Sequence, residues 1–148
     1  MRYELMFPDE MRRAIRENWP LVIPAGVMEY HSEHLSPGVD TLVVARALEL
    51  LEKEIPMVLF PPYWCGSASF AVAAPEEKGT LHIPPRTVHI FFRDLFAGLL
   101  RVGFRNVHVF IHHQSENFTA GMPTDLAMKL AARETIFDRA YETKDAGE

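Results

Sequence analysis

The sequence has one cysteine, no long apolar run and no excess of basic residues, and each shortage excludes a class of protein. Cys65 has no partner for an internal disulfide, which favours a reducing compartment. No segment reaches the ~20 apolar residues that a membrane span needs, and residues 1–8 lack the apolar core of a signal peptide. The net charge of −5 argues against nucleic acid as a partner, because phosphate binding requires a basic surface. We therefore expect a cytoplasmic protein that binds neither membranes nor nucleic acid.

The 148 residues predict a single domain, residues 1–148, with enough apolar content (48%) for a proper core. The apolar pattern predicts helices at residues 9–18, 41–54, 85–102 and 123–140, and strands at residues 21–25, 55–60 and 106–111. Asp40 or Thr41 is the expected N-cap of the second helix, and Gly103 the expected C-cap of the third. Residues 61–84 read as a long irregular segment, and residues 142–148 as a fraying end.

The alternation of helices and strands predicts an α/β fold with a mostly parallel sheet and helices on both faces. The strands at residues 21–25 and 106–111 show no regular polar alternation, so both are expected to be buried. In open sheets of this class, ligands bind beyond the carboxyl ends of the strands. Polar clusters that follow these two strands are therefore the first places to look for a site.

The first polar cluster comes directly after the strand at residues 21–25 and spans twelve residues. Its members are Glu29, His31, Glu33, His34 and Asp40. Neutral imidazole and ionised carboxylate are the nitrogen and oxygen ligands that Zn²⁺ and Mn²⁺ take, so the cluster predicts a divalent metal site. His31 and His34 alone would favour hydrogen-bonded structural histidines; Glu29 and Asp40 shift the interpretation to metal.

The second polar cluster follows the strand at residues 106–111. It reads His112-His113-Gln114-Ser115-Glu116-Asn117. If the two strands are neighbours, both clusters face each other at one edge of the sheet. The other histidines, His82, His89 and His108, are expected to be structural. A nucleotide-binding module is disfavoured, since no glycine-rich phosphate loop follows any predicted strand.

Residues 24–40 resemble the first motif of the creatininase (creatinine amidohydrolase) family. That motif is a Pro-x-Gly strand end, then Glu-x-His-x-x-His-Leu-Pro, then Gly-x-Asp. Gly79-Thr80 is similar to the family's Gly-Thr pair after the irregular segment. Residues 103–106 are similar to the family's Gly-Phe-Arg turn before its third motif. The resemblance implies that Glu29, His31 and Asp40 bind metal, with Asp40 bridging two ions.

The family's third motif reads Asn-Gly-His-x-Glu-Asn, and here Gln114 stands at the ligand histidine while Glu116 matches the second ligand. A glutamine amide oxygen is a neutral, weaker ligand, so either one ion is loosely held or His112 or His113 replaces it. The His-His-Gln variant resembles the branch of 3-dehydro-scyllo-inosose hydrolase, which opens a cyclic ketose ring.

The resemblance implies a metal-dependent hydrolase that uses one or two Zn²⁺ or Mn²⁺ ions to activate water against a small cyclic amide or cyclic ketose. Glu116 or His34 would move the proton to the leaving group. The alternative is a non-catalytic or incomplete metal-binding relative. Family members usually continue well past this length, so we expect either a truncated form or a short member. We expect a homo-oligomer in which a neighbouring chain covers part of the pocket.

Overall fold

The computed structural model describes residues 1–69, 72–113 and 123–145. Its helices and strands, in chain order, are α1 (Pro8–Arg16), β1 (Leu21–Ala25), α2 (Val39–Leu51), β2 (Val58–Leu59), α3 (Pro85–Val102), β3 (Val107–Ile111) and α4 (Thr124–Asp145). Short 3-10 turns lie at Tyr3–Leu5 and Glu76–Lys78. The predicted order of helices and strands is confirmed. Within the described residues, no helix is both long enough and apolar enough to cross a membrane.

The three strands form one parallel sheet in the order β2-β1-β3. All five residues of β1 are buried, as expected for a central strand covered on both faces. β1 and β3 pair over their full length, from Leu21 beside Val107 to Ala25 beside Ile111. The carboxyl ends of these two strands therefore lie side by side, as the position of the two polar clusters requires.

Helices cover both faces of the sheet, which confirms the predicted α/β class. Alternate residues of β1 point to opposite faces, so Leu21 and Ile23 join a core with Phe92 of α3 and Met128 of α4. Val22 points the other way and packs with Leu48 of α2 in a smaller cluster.

Two predictions about the strands are wrong. β3 is not buried on both faces: His108 and Phe110 are exposed, because β3 is the edge strand of the sheet that the described residues form. β2 is only two residues long instead of the predicted six, since it pairs with β1 at Leu21 and Val22 alone. A sequence pattern that treats every apolar residue as buried cannot predict an exposed phenylalanine such as Phe110.

The helix ends also differ from the expectation. The N-cap of α2 is Gly38 rather than Asp40 or Thr41, and no side chain caps the helix. Asp40 lies in the first turn, where its carboxylate faces polar side chains described below. α4 continues to Asp145, so residues 142–145 are helical instead of frayed; residues 146–148 lie outside the described residues.

The C-terminus of α3 supports a direct stability test. Gly103, the predicted C-cap, has φ +123, and a Cβ there would lie 3.2 Å from Ile15 Cγ2. We expect Gly103→Ala to lower the free energy of unfolding by about 1–3 kcal/mol in urea titrations, because alanine is strained at positive φ.

Gly98 provides the matched control, since it lies inside α3 and a Cβ there meets only Arg101 Nη2 at 3.8 Å. Gly98→Ala should raise the stability by up to about 1 kcal/mol. Equal effects of the two substitutions would contradict this account of the helix end.

Candidate metal centre

A close backbone approach brings the end of β1 against the start of α2. A Cβ on Gly26 would lie 2.5 Å from Thr41 Oγ1 and 2.6 Å from the Thr41 nitrogen, so only glycine fits. Asp40 is the neighbour of Thr41, and Glu29 lies three residues beyond Gly26. The glycine therefore places the two carboxylates at the same edge of the sheet.

The loop after β1 is tied to a segment far away in the sequence. The backbone N–H of Tyr30 donates to Thr80 Oγ1 at 2.9 Å, and the N–H of Leu81 donates to the carbonyl of Met28 at 2.8 Å. Gly79 precedes this contact with φ +91, a conformation that suits glycine. The Gly79-Thr80 pair thus has a clear role: it positions the loop that carries the first polar cluster.

Three side chains of this cluster converge as predicted. Glu29, His31 and Asp40 each offer one ligand atom, and these atoms all lie within 4.8 Å of one another. His31 Nε2 is 3.2 Å from Asp40 Oδ1 and 3.7 Å from Glu29 Oε1. Donors about 2.1 Å from one ion in tetrahedral geometry are about 3.4 Å apart, so the spacing fits a metal ion such as Zn²⁺.

The tautomer of His31 also suits metal binding. Its Nδ1 lies 2.9 Å from the backbone carbonyl of Glu29, which can only accept, so Nδ1 carries the proton and donates. In the neutral ring, Nε2 then keeps its lone pair and faces the two carboxylates. Fixing the ring by a bond at the other nitrogen is the usual support of a metal-ligating histidine.

Ser69 holds one oxygen of Glu29 and leaves the other free. Its N–H and hydroxyl both donate to Glu29 Oε2, at 2.9 and 3.0 Å. Oε1 therefore faces His31 and His113. Burial opposes ionisation of Glu29, but the hydrogen bonds from His113 and Ser69 outweigh it and lower the pKa of the carboxyl to about 2.

His113 occupies the space between the two carboxylates, with its side chain only 3% exposed. Nδ1 is 3.1 Å from Asp40 Oδ2 and 3.4 Å from Glu29 Oε1, and Nε2 is 3.1 Å from the carbonyl of Ser67. Both ring nitrogens face acceptors, so both donate. Burial opposes this charge, yet the hydrogen bonds to Asp40 and Glu29 raise the pKa of His113 to about 9.

These groups open into a cleft of about 540 Å³. The residues that line it are Glu29, His31, Asp40, Ile111, His112, His113, Asp125 and Lys129. His112 is exposed, with Nδ1 3.6 Å from Asp40 Oδ1, and Lys129 contacts Asp125 at 3.2 Å. Both predicted clusters therefore contribute to one site, because β1 and β3 are neighbours.

The remaining predicted site residues have other positions. His34 is exposed, contacts Ser32 through Nδ1 at 2.7 Å and does not line the cleft. Gln114 and Glu116 lie outside the described residues. The sequence did not predict the roles of Ser69, Asp125 and Lys129. A lone serine in an irregular segment gives no signal, whereas Asp125 and Lys129 share a face of α4 at i, i+4 spacing.

The fold and the site together define an α/β protein with a candidate metal centre at the carboxyl edge of a parallel sheet. The family model for creatininase (creatinine amidohydrolase) matches residues 4–144. The chain belongs to the creatininase family. No curated protein sequence matches the chain.

Solved structures of creatininases share this fold. A crystal structure of creatinine amidohydrolase (creatininase) has a TM-score of 0.74 at 19% identity, covering 93% of this chain and 52% of its own. A mutant creatininase of the Zn-Zn type has a TM-score of 0.74 at 21% identity, covering 93% and 53%. A structure named creatininase Mn has a TM-score of 0.73 at 18% identity, also covering 93% and 53%. The chain thus spans about half the length of these structures.

The contact between Ser69 and Glu29 can be tested by metal affinity. We expect Ser69→Ala to weaken metal binding by about 10-fold or more, since groups that orient a ligand typically contribute that much. Isothermal titration of metal-free protein with Zn²⁺ or Mn²⁺ measures the effect. Ser32→Ala, the same change beside His34, should leave the affinity unchanged; equal affinities for all three proteins would exclude the role of Ser69.

Proposed function

We propose that this protein is a metal-dependent hydrolase that acts on a small cyclic substrate through a metal-activated water. One observation carries the proposal: Glu29, His31 and Asp40 hold three ligand atoms within 4.8 Å of one another in an open cleft. Zn²⁺ and Mn²⁺ both suit this mixture of imidazole and carboxylate donors. When bound, such ions supply a hydroxide at neutral pH and polarise a carbonyl oxygen.

Asp40 is the residue best placed to serve two ions. Its Oδ1 is directed to His31 at 3.2 Å, and its Oδ2 to His113 at 3.1 Å. The two oxygens therefore face separate positions, as a bridging carboxylate requires. Glu29 would hold one position through Oε1 while Ser69 keeps its second oxygen occupied. His31 would contribute Nε2, and its Nδ1 bond fixes the ring plane.

The second metal position would involve Gln114 and Glu116, which lie outside the described residues. Glu116 would complete it together with His31 and Asp40, and Gln114 would be a weak neutral ligand. His113 is an alternative to Gln114, because its ring already lies between the carboxylates. To bind metal it would have to lose a proton and release either the carboxylates or Ser67.

The substrate that we propose carries an electrophilic carbonyl within a small ring, as a cyclic amide or a cyclic ketose does. The cleft of about 540 Å³ has the size of a small-molecule site. Lys129 is exposed at its rim and would favour a substrate with a polar or anionic group. One mutant creatininase of similar fold is complexed with creatine.

Proton transfer to the leaving group requires a second acid–base residue. Glu116 and His34 are the two that the sequence offers. We favour Glu116, since His34 is exposed and bonded to Ser32 instead of facing the cleft. We further propose that the protein is cytoplasmic and forms a homo-oligomer.

Metal content and hydrolysis, measured on the same samples, test the proposal. Protein loaded with Zn²⁺ or Mn²⁺ should hydrolyse cyclic amides or open cyclic ketoses, and Asp40→Ala should lose the most metal and at least about 10³-fold in rate. Glu33→Gln is the matched control, because Glu33 lies in the same loop, accepts a hydrogen bond from the Tyr30 hydroxyl and does not line the cleft.

The outcomes of this test are distinct. If the metal-loaded wild type converts neither class of substrate, the hydrolase proposal is wrong and the protein is a non-catalytic metal-binding protein. Wild-type metal content in Asp40→Ala would show that the ion binds elsewhere.

Gln114 allows a separate test of the second metal position. Elemental analysis and titration should show one tight Zn²⁺ in the wild type and a second tight Zn²⁺ in Gln114→His, because imidazole replaces a neutral amide. If the wild type already binds two Zn²⁺ with equal affinity, then Gln114 is not deficient and His112 or His113 has taken its place.

A further inference from the structure

We propose that His82 and Thr124 are positioning residues of the candidate metal centre. Neither belongs to the ligand set, and both hold the segment that orients Glu29. This segment comprises residues 66–69, and we call it the 66–69 strap. The inference rests on the metal-dependent function proposed above and adds to it two residues that act through the backbone of the strap.

Three successive backbone N–H groups of the strap donate to side chains from three separate parts of the chain. The three bonds run from Ser67 N–H to Thr124 Oγ1 at 2.7 Å, from Ala68 N–H to His82 Nδ1 at 3.2 Å and from Ser69 N–H to Glu29 Oε2 at 2.9 Å. Thr124 is the first residue of α4, His82 lies in the segment before α3, and Glu29 lies in the loop after β1. The strap therefore links a candidate ligand to two other parts of the fold.

The burial of the strap makes these bonds necessary. Ser67 is 3% exposed, and Ala68 and Thr124 are fully buried. A buried backbone N–H without an acceptor costs about as much free energy as a lost hydrogen bond, roughly 1–3 kcal/mol. Because water has little access here, the strap can stay in place only while both side-chain acceptors are present.

Close packing fixes the strap against the same two parts of the fold. A Cβ on Gly66 would lie 2.6 Å from Thr124 Oγ1 and 2.7 Å from Val27 Cγ1, so only glycine lets the backbone approach them. Beside His82, the N–H of Ile83 donates to the carbonyl of Gly66 at 2.8 Å, and the hydroxyl of Ser67 donates to the carbonyl of Ile83 at 3.1 Å. The position of the strap thus follows the start of α4 and the segment before α3.

The strap transmits this position to Glu29 through Ser69. Both the N–H and the hydroxyl of Ser69 donate to Glu29 Oε2, at 2.9 and 3.0 Å. Ser69 follows Ala68 directly, so a shift of the strap moves both donors together. The carboxylate then turns, and Oε1, which lies 3.7 Å from His31 Nε2, leaves its place among the ligand atoms. Loss of either acceptor should therefore weaken metal binding although every ligand remains.

Conservative substitutions separate the acceptor from the bulk of each side chain. His82 accepts at Nδ1, so the neutral ring carries its proton on Nε2. The side-chain oxygen of asparagine can accept near the place of Nδ1, whereas leucine fills the space without an acceptor. At the other contact, serine keeps the hydroxyl of Thr124, and valine keeps its shape without the hydroxyl.

Calorimetric titration of metal-free, full-length protein with Zn²⁺ tests the inference. His82→Leu and Thr124→Val should each raise the dissociation constant by about 10-fold, while His82→Asn and Thr124→Ser should stay within about twofold of the wild type. Thr135→Val is the matched control, because Thr135 is a second buried threonine of α4 and its hydroxyl donates to Ala131 within the helix. This control should bind Zn²⁺ as the wild type does.

The outcomes distinguish this inference from the proposed function. If His82→Leu and Thr124→Val fold, as circular dichroism can show, and bind Zn²⁺ like the wild type, the inference is wrong and the proposed hydrolysis is unaffected. An equal loss of affinity in Thr135→Val, or no recovery in His82→Asn and Thr124→Ser, would also overturn it. A wild type that binds Zn²⁺ and shows these differences but converts no substrate would contradict the proposed function alone.

Hydrogen exchange of the metal-free protein provides a readout that needs no ion. In His82→Leu the amide of Ser69 should exchange at least about 10-fold faster than in the wild type, because the strap opens locally. The amide of Leu21, which donates to the carbonyl of Asn106 at 2.8 Å, should keep its wild-type rate. Equal acceleration at Leu21 would indicate general destabilisation, and an unchanged rate at Ser69 would show that His82 does not hold the strap; either result would overturn the inference.

Discussion

The main constraint on this structure is that the carboxylates of Glu29 and Asp40 are buried close to each other. Glu29 is 8% exposed and Asp40 is 4% exposed, and unpaired charges in such surroundings are strongly disfavoured. Some cation must lie between them. In the structure that cation is His113, which donates to both carboxylates and to the carbonyl of Ser67. A divalent ion held by Glu29, His31 and Asp40 would compensate the same two carboxylates, so a metal centre and this arrangement share one set of residues.

The fold satisfies this constraint by short-range contacts that only certain residues permit. Gly26 allows the end of β1 to touch Thr41, and this contact sets the distance between the two carboxylates. Thr80 anchors the loop between them, and Ser69 fixes the orientation of Glu29. None of these groups is charged. They act by placing charged groups, and their loss should therefore change metal affinity more than overall stability.

The sequence predicted the features that depend on local chemistry. β1 is a buried strand because its five residues are apolar throughout. α3 begins at Pro85 and is followed by Gly103 as its C-cap, because each residue has the backbone preference of that position. Glu29, His31 and Asp40 could be predicted as metal ligands because their residue types and their spacing are visible in the sequence itself. Features set by tertiary contacts were missed: the exposure of Phe110 depends on which neighbours β3 has, and the role of Ser69 depends on a loop forty residues away.

Metal binding and substrate choice have different structural requirements here. The three converging candidate ligands, and the groups that orient them, come from the loop after β1, from α2 and from the segment before α3. The cleft beside them is bounded on one side by Ile111 and α4, and it continues into an apolar groove of about 310 Å³ between β3 and α4. Under the proposed function, substitutions that line this groove should alter which substrate is accepted, whereas substitutions of the two buried carboxylates or of His31 should alter the affinity for the ion.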